Sequence, residues 1–117
     1  MMAPTLAEDD RHLIAIGSGG SNRLRTAILQ TLSNLIDFGM DPEGAVNAPR
    51  IHVEHDHLDI EPGFPDLALN ALTERFPAHR LWSGHNLFFG GTHTVCWDGH
   101  RFSGAGDPRR GGVFRQA

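Results

Sequence analysis

The chain has 117 residues, of which 39% are apolar and 21% are charged, and these proportions are typical of a globular domain. Its formal charge is −4 at pH 7 and it has no run of Lys or Arg, which argues against nucleic-acid and anionic-membrane partners because both need a concentrated basic surface. The single cysteine, Cys96, excludes an internal disulfide, and there is neither an apolar stretch of membrane-spanning length nor a signal-peptide pattern. We therefore expect one soluble domain, residues 1–117, of unknown localisation.

The first half of the chain predicts a strand, a glycine turn and a long helix. Residues 11–16 end in four apolar side chains, which predicts a strand buried on both faces. A turn of small residues, 17–21, follows. Apolar side chains then recur at helical spacing over residues 22–38, at Leu24, Ile28, Leu29, Leu32, Leu35 and Ile36. This pattern predicts an amphipathic helix that Gly39 ends.

The second half predicts a short helix, two strands, a further helix and a hairpin. Asp41, Pro42 and Glu43 resemble the start of a helix, which Pro49 ends. Apolar residues alternate with polar ones over residues 51–53 and 58–60, as in two half-buried strands, with residues 55–57 between or within them. Residues 66–76 predict a helix, and residues 92–104 predict a hairpin around an Asp98-Gly99 turn. The fold class expected is α+β.

The glycine turn has features of an anion-binding site. Backbone N–H groups that precede a helix lack intrahelical partners and lie at the positive end of its dipole, so such a turn suits a phosphate, a carboxylate or an oxyanion. Neither of the glycine patterns typical of nucleotide sites is present in residues 17–25. The alternative is a tight strand-to-helix connection with Ser21 or Asn22 as N-cap.

Several spaced segments carry a resemblance. They are GSGGSNR at 17–23, RTAILQ at 25–30, NLIDFGM at 34–40, Glu43, Ala45-Val46, APR at 48–50, His52, GAGDPRRGG at 104–112 and, before them, MAPTL at 2–6. Together they resemble the C-terminal part of the small subunit of γ-glutamyltransferases, also called γ-glutamyltranspeptidases. The resemblance covers essentially the whole chain.

The resemblance implies an N-terminal-nucleophile hydrolase, with part of an αββα sandwich made from an antiparallel sheet and two or three helices. In that family a threonine exposed by self-cleavage attacks the γ-glutamyl carbonyl, and the acyl group passes to water or an amino acid. The resemblance assigns the oxyanion-binding pair to Gly19 and Gly20, or to Gly20 and Ser21 if no gap is placed at the proline that family members often carry before the pair. Ser18, Ser21 and Arg23 would lie near the substrate.

The resemblance also implies missing parts. The family's threonine and the serine pair that holds the donor carboxylate would both precede this chain, and neither Thr5 nor Thr92 is suitably placed to replace the threonine. We therefore expect the chain to be inactive alone and to act on a γ-glutamyl small molecule only when completed by an upstream enzyme portion. Because residues 13–16 would have an unpaired edge and one face of the long helix would lack its partner, we also expect a homo-oligomer, most simply a two-fold dimer.

Two further interpretations stay open. The chain could be a non-catalytic anion-binding or assembly module, or it could bind a metal through His52, His55 and His57, with oxygen ligands from Glu54, Asp56 and Asp59. If residues 51–60 are extended, His55 and His57 share a face, but a solvated strand connection without metal or cofactor is the preferred interpretation.

Other polar residues have simpler interpretations. We expect Cys96 to be a packed strand residue, and residues 107–110 to form a structural carboxylate–guanidinium link rather than to bind an acid. Arg23 and Arg25 could attract a carboxylate or simply flank the start of the helix.

Overall fold

The computed structural model describes residues 2–117, and these form seven strands and three α-helices. The strands are β1 (Thr5–Glu8), β2 (Leu13–Gly17), β3 (Ile51–Glu54), β4 (His57–Ile60), β5 (His79–Leu81), β6 (His93–Trp97) and β7 (Phe102–Ala105). The helices are α1 (Arg23–Ile36), α2 (Pro42–Asn47) and α3 (Asp66–Arg75), and 3₁₀ turns lie at Leu87–Phe89 and Pro108–Arg110. The predicted α+β class is confirmed.

The larger sheet has four antiparallel strands in the order β1-β2-β6-β7. β1, which the sequence did not indicate, pairs with β2 over its whole length, so that Leu6 lies opposite Ala15. The expectation of an unpaired edge on β2 is therefore wrong, because this strand has a hydrogen-bonded neighbour on each side.

Burial along β2 alternates instead of being continuous. Ile14 and Ile16 are buried, whereas Leu13 and Ala15 are exposed. The buried pair packs against α1, and the core formed there contains Ile14, Ile16, Leu24, Ile28 and Cys96. The prediction that β2 is buried on both faces is wrong for residues 2–117, because helix α1 covers one face of this strand and Leu13 and Ala15 on the other face are exposed.

Helices α1 and α2 match their predicted positions. Asn22 occupies the N-cap position of α1 without making a side-chain cap bond; its amide donates instead to Glu54. At α2, the Asp41 carboxylate accepts the Gly44 amide at 2.7 Å, as the predicted N-cap requires.

The smaller sheet has the order β3-β4-β5. β3 and β4 form the predicted antiparallel pair, whereas β5, which the sequence did not indicate, lies parallel to β4. Leu58 and Ile60 of β4 are fully buried. Helix α3 follows this hairpin as predicted, but none of its side chains is buried.

The predicted hairpin at residues 92–104 is present as β6 and β7. The Asp98 carboxylate accepts the amides of His100 and Arg101 at 2.8 Å and so shapes the turn between them. Because β6 is hydrogen-bonded to β2, the start of β6 at His93 lies opposite Gly17, at the entrance to the glycine turn.

Candidate functional site

The glycine turn, residues 17–22, connects the end of β2 with the start of α1. Gly20 has φ +136°, a backbone conformation that side-chain-bearing residues rarely adopt. The turn is held to the N-terminal segment by a hydrogen bond from the Ala3 amide to the Ser18 carbonyl at 3.1 Å. Gly19 and Gly20 thus lie at a strand-to-helix junction, the setting in which backbone amides bind anions.

Ser18 lies inside the protein rather than at the surface of the turn. It is 3% exposed, and its hydroxyl accepts the Gly91 amide at 3.2 Å and donates to the Gly19 carbonyl at 3.3 Å. A Cβ at Gly90, whose φ is +80°, would lie 3.0 Å from the Ser18 hydroxyl. The hydroxyl is therefore engaged with the chain itself, which disfavours the predicted contact with a substrate. Ser21, by contrast, is exposed.

Arg23 lies beside the turn at the first position of α1. Its Nε donates to the Phe88 carbonyl at 2.7 Å, and its guanidinium carbon lies 4.3 Å from the centre of the Phe88 ring. Arg25 is exposed and lines a different cavity together with Thr26 and His52. Of the two arginines that the sequence singled out, the structure places Arg23 in a fixed position near the turn.

An open cleft of about 860 Å³ lies beside the glycine turn, on the uncovered face of the larger sheet. Its floor is largely apolar, with Leu6, Ala15 and Val95 among its lining residues. Gly19, His93 and Arg110 also line it. The cleft therefore places an apolar surface next to the turn and the Arg110 guanidinium, which suits a small ligand that is partly apolar and partly anionic.

Four charged residues form a cluster in the interior of the protein: Arg50, Glu61, Asp107 and Arg109. Arg109 binds both Glu61 oxygens, at 2.7 and 2.6 Å, and Arg50 donates to Asp107 at 2.7 Å. Although burial raises the pKa of the Asp107 carboxyl, the charge on Arg50 and hydrogen bonds from the backbone amides of Thr92 and Arg109 lower it more, so that the net shift is downward.

This cluster confirms the structural link predicted for residues 107–110, because Asp107 and Arg109 are also in contact, at 3.2 Å. The sequence did not indicate that Arg50 and Glu61 would join it. The weak signal was a charged residue directly before the first apolar residue of β3 and another directly after the last of β4.

The threonines that the sequence analysis rejected as nucleophiles are unsuitable in the structure too. Thr92 is fully buried, and its hydroxyl accepts hydrogen bonds from Thr31 and Arg50. The Thr5 hydroxyl donates to the Ala3 carbonyl at 3.4 Å within the N-terminal segment.

The three histidines singled out by the sequence do not converge. His52 is buried, with Nδ1 2.9 Å from the Thr26 hydroxyl and Nε2 3.4 Å from the Glu54 carboxylate. His55 lies in the turn after β3 with φ +51°, so it does not share a strand face with His57 as expected. Within residues 2–117, no group of three or more His, Cys, Asp or Glu side chains is placed to hold a metal ion.

Cys96 is buried in the core beside α1, and this burial raises the pKa of its thiol. It is the packed strand residue that the sequence predicted. Among the described residues, no helix has the length and apolar character needed to cross a membrane.

Comparisons with known proteins match this fold and sequence to one family. The gamma-glutamyltranspeptidase family model matches residues 1–117. The chain is 34% identical over 113 residues to the glutathione hydrolase proenzyme of Escherichia coli K12, a match that covers 92% of this chain and 19% of that protein. The chain therefore spans about a fifth of the length of this curated relative.

Solved structures show the same similarity. The Bacillus anthracis transpeptidase CapD superposes with a TM-score of 0.83 and 26% identity, over 99% of this chain and 70% of that one. The T380A mutant of Helicobacter pylori gamma-glutamyltranspeptidase superposes with a TM-score of 0.77 and 30% identity, over 92% of this chain and 60% of that one.

Proposed function

The chain belongs to the gamma-glutamyltranspeptidase family, and we propose that it forms the C-terminal part of an enzyme that transfers or hydrolyses γ-glutamyl groups. The observation that carries this proposal is the family match over residues 1–117. The match to the Escherichia coli relative covers only 19% of that protein, so this chain corresponds to one part of it. In the completed enzyme the upstream portion would supply the threonine nucleophile and the residues that hold the donor's carboxylate.

The role proposed for this chain is to bind the oxyanion. When a threonine attacks the γ-glutamyl carbonyl, the carbonyl oxygen becomes negatively charged, and backbone N–H groups aimed at it lower the barrier by about 3 to 4 kcal/mol for each donor. Gly19 and Gly20 are the proposed donors, with Gly20 and Ser21 as the alternative pair. The position of the turn before α1 and the conformation of Gly20, with φ +136°, support this assignment.

The chain alone is proposed to be inactive, because oxyanion donors without a nucleophile do not catalyse acyl transfer. Incubation with a γ-glutamyl anilide tests this directly. We expect no release of the aniline above a heat-denatured control. Turnover that disappears when Gly20 is replaced would overturn the proposal.

A chimera gives the positive test. The segment of the Escherichia coli relative that matches this chain over 113 residues would be replaced by residues 1–117. We expect anilide turnover by the chimera and a kcat at least about 100-fold lower with Gly20→Val, whose side chain strains the turn. The matched control is Gly84→Ala, since a Cβ at Gly84 meets nothing within 4 Å and should leave kcat unchanged.

A second candidate function is assembly without catalysis. It is favoured by the uncovered face of the larger sheet, where Leu6 and Phe102 are 74% and 49% exposed. Either a second copy of this chain or the upstream enzyme portion would cover that face, and a two-fold homodimer is the form proposed for the chain alone.

A further inference from the structure

Two arginines that are far apart in the sequence are attached to the same 3₁₀ turn, next to the glycine turn. Arg23 donates from Nε to the Phe88 carbonyl at 2.7 Å, and Arg110 donates from Nη2 to the Leu87 carbonyl at 3.2 Å. Both guanidinium groups are therefore anchored on carbonyls of adjacent residues, whose Cα atoms lie about 3.8 Å apart.

The path of Arg110 to this place depends on glycines. Its side chain lies flat across Gly91, where an added Cβ would come within 2.6 Å of the Arg110 Cδ. Its Nη2 lies 3.7 Å from the position of a Cβ on Gly20, so the guanidinium reaches the glycine turn itself. A residue with a side chain at position 91 would displace Arg110 from the turn.

Arg23 is held from the other side by an aromatic stack. Its guanidinium covers one face of the Phe88 ring at 4.3 Å, and the Trp82 ring stacks with Phe88 at 4.9 Å and an angle of 25°. Because Arg23 is anchored through Nε and the face of its guanidinium, its terminal nitrogens keep donor capacity for a further partner.

The charge of this pair is not balanced within the described part of the chain. No ion pair among residues 2–117 includes Arg23 or Arg110. Two neighbouring guanidinium groups repel each other, and an anion bound between them would remove that cost. A carboxylate is well matched because its two oxygens accept paired N–H groups from a guanidinium fork.

We propose that Arg23 and Arg110 bind the carboxylate of the amino acid or short peptide at the acceptor or leaving-group end of the reaction. This identification of the ligand rests on the proposed function. The end of the cleft that Arg110 and Gly19 line lies at the glycine turn and would take the side chain of that ligand. The assignment makes Arg110 a specificity-determining residue. Of the two roles that the sequence left open for Arg23, it selects the attraction of a carboxylate.

Binding to the 117-residue chain tests the proposal without any need for turnover. Glycylglycine would be titrated into the chain, with glycylglycinamide as the probe that lacks the carboxylate, and the amide resonances of Gly19 and Gly20 would be followed by NMR. We expect glycylglycinamide to bind at least about tenfold more weakly than glycylglycine, because it cannot form the charged hydrogen bonds of the carboxylate. Equal affinity of the two probes would overturn the proposal.

Variants locate the site. Arg23→Gln and Arg110→Gln should each weaken glycylglycine binding at least about tenfold, since each removes one of two cationic forks. Arg25→Gln is the matched control, because Arg25 is exposed, lies two residues from Arg23 and lines another cavity, so binding should be unchanged. If Arg23→Gln disturbs the fold, Arg23→Lys is the substitute variant because it keeps the charge. Arg23→Lys should bind glycylglycine better than Arg23→Gln does.

The same titration distinguishes the source of the carboxylate. Arginine-dependent binding of a γ-glutamyl anilide but not of glycylglycine would overturn the assignment to the acceptor end. Glycylglycine binding that survives in the Arg23→Gln/Arg110→Gln double variant would overturn the site itself. Failure of the proposed function would give a different result. The chain would still bind glycylglycine through the two arginines, but the chimera with the Escherichia coli relative would have no turnover.

Discussion

Asp107 is the residue at which distant parts of the chain meet. Its carboxylate, fully buried, accepts the Thr92 amide at 2.8 Å, the Arg109 amide at 2.9 Å and the guanidinium of Arg50 at 2.7 Å. Thr92 directly follows Gly91, and the Gly91 amide donates a hydrogen bond to the Ser18 hydroxyl. The position of the glycine turn is therefore linked to the charge cluster through residues 91 and 92.

Removal of this carboxylate leaves the buried guanidinium of Arg50 without its ion-pair partner, whereas Arg109 keeps Glu61. We expect Asp107→Ala to lower the free energy of unfolding by about 3 to 5 kcal/mol, as measured by urea denaturation. Asp98→Ala is the control: Asp98 is exposed and bonds only to the amides of its own turn, so its replacement should cost far less. Equal losses for the two variants would contradict the role given to the cluster.

The same carboxylate makes stability depend on pH. The pKa of Asp107 is lowered from 3.8, since burial, which raises it, is outweighed by the charge on Arg50 and by hydrogen bonds from Thr92 and Arg109. Because the folded pKa lies below the unfolded one, the ionised group stabilises the protein above the unfolded value, and this stability is lost as the pH falls through the folded value.

We therefore expect the urea midpoint to fall between about pH 5 and pH 2, and to fall less in Asp107→Asn. Asp9 and Asp98, whose pKa values are lowered by hydrogen bonds from backbone amides, contribute to the fall in both proteins. The difference between wild type and variant isolates Asp107. Identical pH profiles would show that this carboxylate is not linked to folding.

The sequence indicated half of this cluster. The spacing of Asp107 and Arg109 suggested a local carboxylate–guanidinium contact, which is present. The other half comes from distant residues: Arg50 is 57 residues from its partner Asp107, and Glu61 is 48 residues from its partner Arg109. Such contacts depend on how β3 and β4 pack against the C-terminal segment, and no local pattern contains that information.

At the level of elements, the turn between β3 and β4 carries avoidable strain. His55 and Asp56 have φ values of +51° and +63°, the left-handed conformation that a two-residue hairpin turn requires at both positions. Side chains with a Cβ are unfavourable there, and glycine is the favoured residue at the second position.

We expect Asp56→Gly to stabilise the protein by about 0.5 to 1 kcal/mol, because it removes this strain. A rise in Tm checks the prediction. His57→Gly, one residue further along in β4, should have the opposite sign, since glycine weakens a strand by about 0.5 to 1 kcal/mol. A drop in Tm for Asp56→Gly would mean that the aspartate stabilises the turn in a way that its backbone conformation does not reveal.

Elements with a long or well-marked local pattern were predictable, whereas β1 and β5 were not. α1 carries apolar residues over four turns, α2 begins with an N-cap and a proline, and the β6–β7 hairpin has a recognisable turn. β1 and β5 have only four and three residues. They are strands because β2 and β4 offer free edges, a cause that lies outside their own sequences.

The candidate site followed the same rule. The glycine turn was recognisable because its small residues are contiguous and precede a strong helix, and the spaced motifs pointed to the family that the comparisons identify. Arg110 was not predicted to lie near Arg23. Their proximity arises from the Leu87–Phe89 turn, which lies far from both in the sequence.

For the whole molecule, the dominant feature is a sheet with helix α1 on one face and an open face on the other, which the C-terminal segment reaches with the Phe114 ring against Gly104 of β7. The register places Leu6, Ala15 and Val95 side by side in one row across the strands, and Leu13, Trp97 and Phe102 in the next. The Trp97 and Phe102 rings are 4.6 Å apart on this face. Helix α1 lies on the opposite face, so residues 2–117 contain one helix layer against one side of this sheet.

Two copies packed through the open faces would place a helix layer outside each of two stacked sheets. Sheets pack face to face at about 10 Å, and apolar patches of more than a few hundred Å² rarely stay in contact with water. We therefore expect the 117-residue chain to be a dimer by light scattering at micromolar concentration.

Val95→Lys places a charge in the centre of the open face and should give a folded monomer, with an unchanged far-UV circular dichroism spectrum. Leu67→Lys is the matched control, since Leu67 is 85% exposed on α3, away from that sheet, and this variant should remain a dimer. A monodisperse wild-type monomer, or dissociation by both substitutions alike, would contradict the proposed interface.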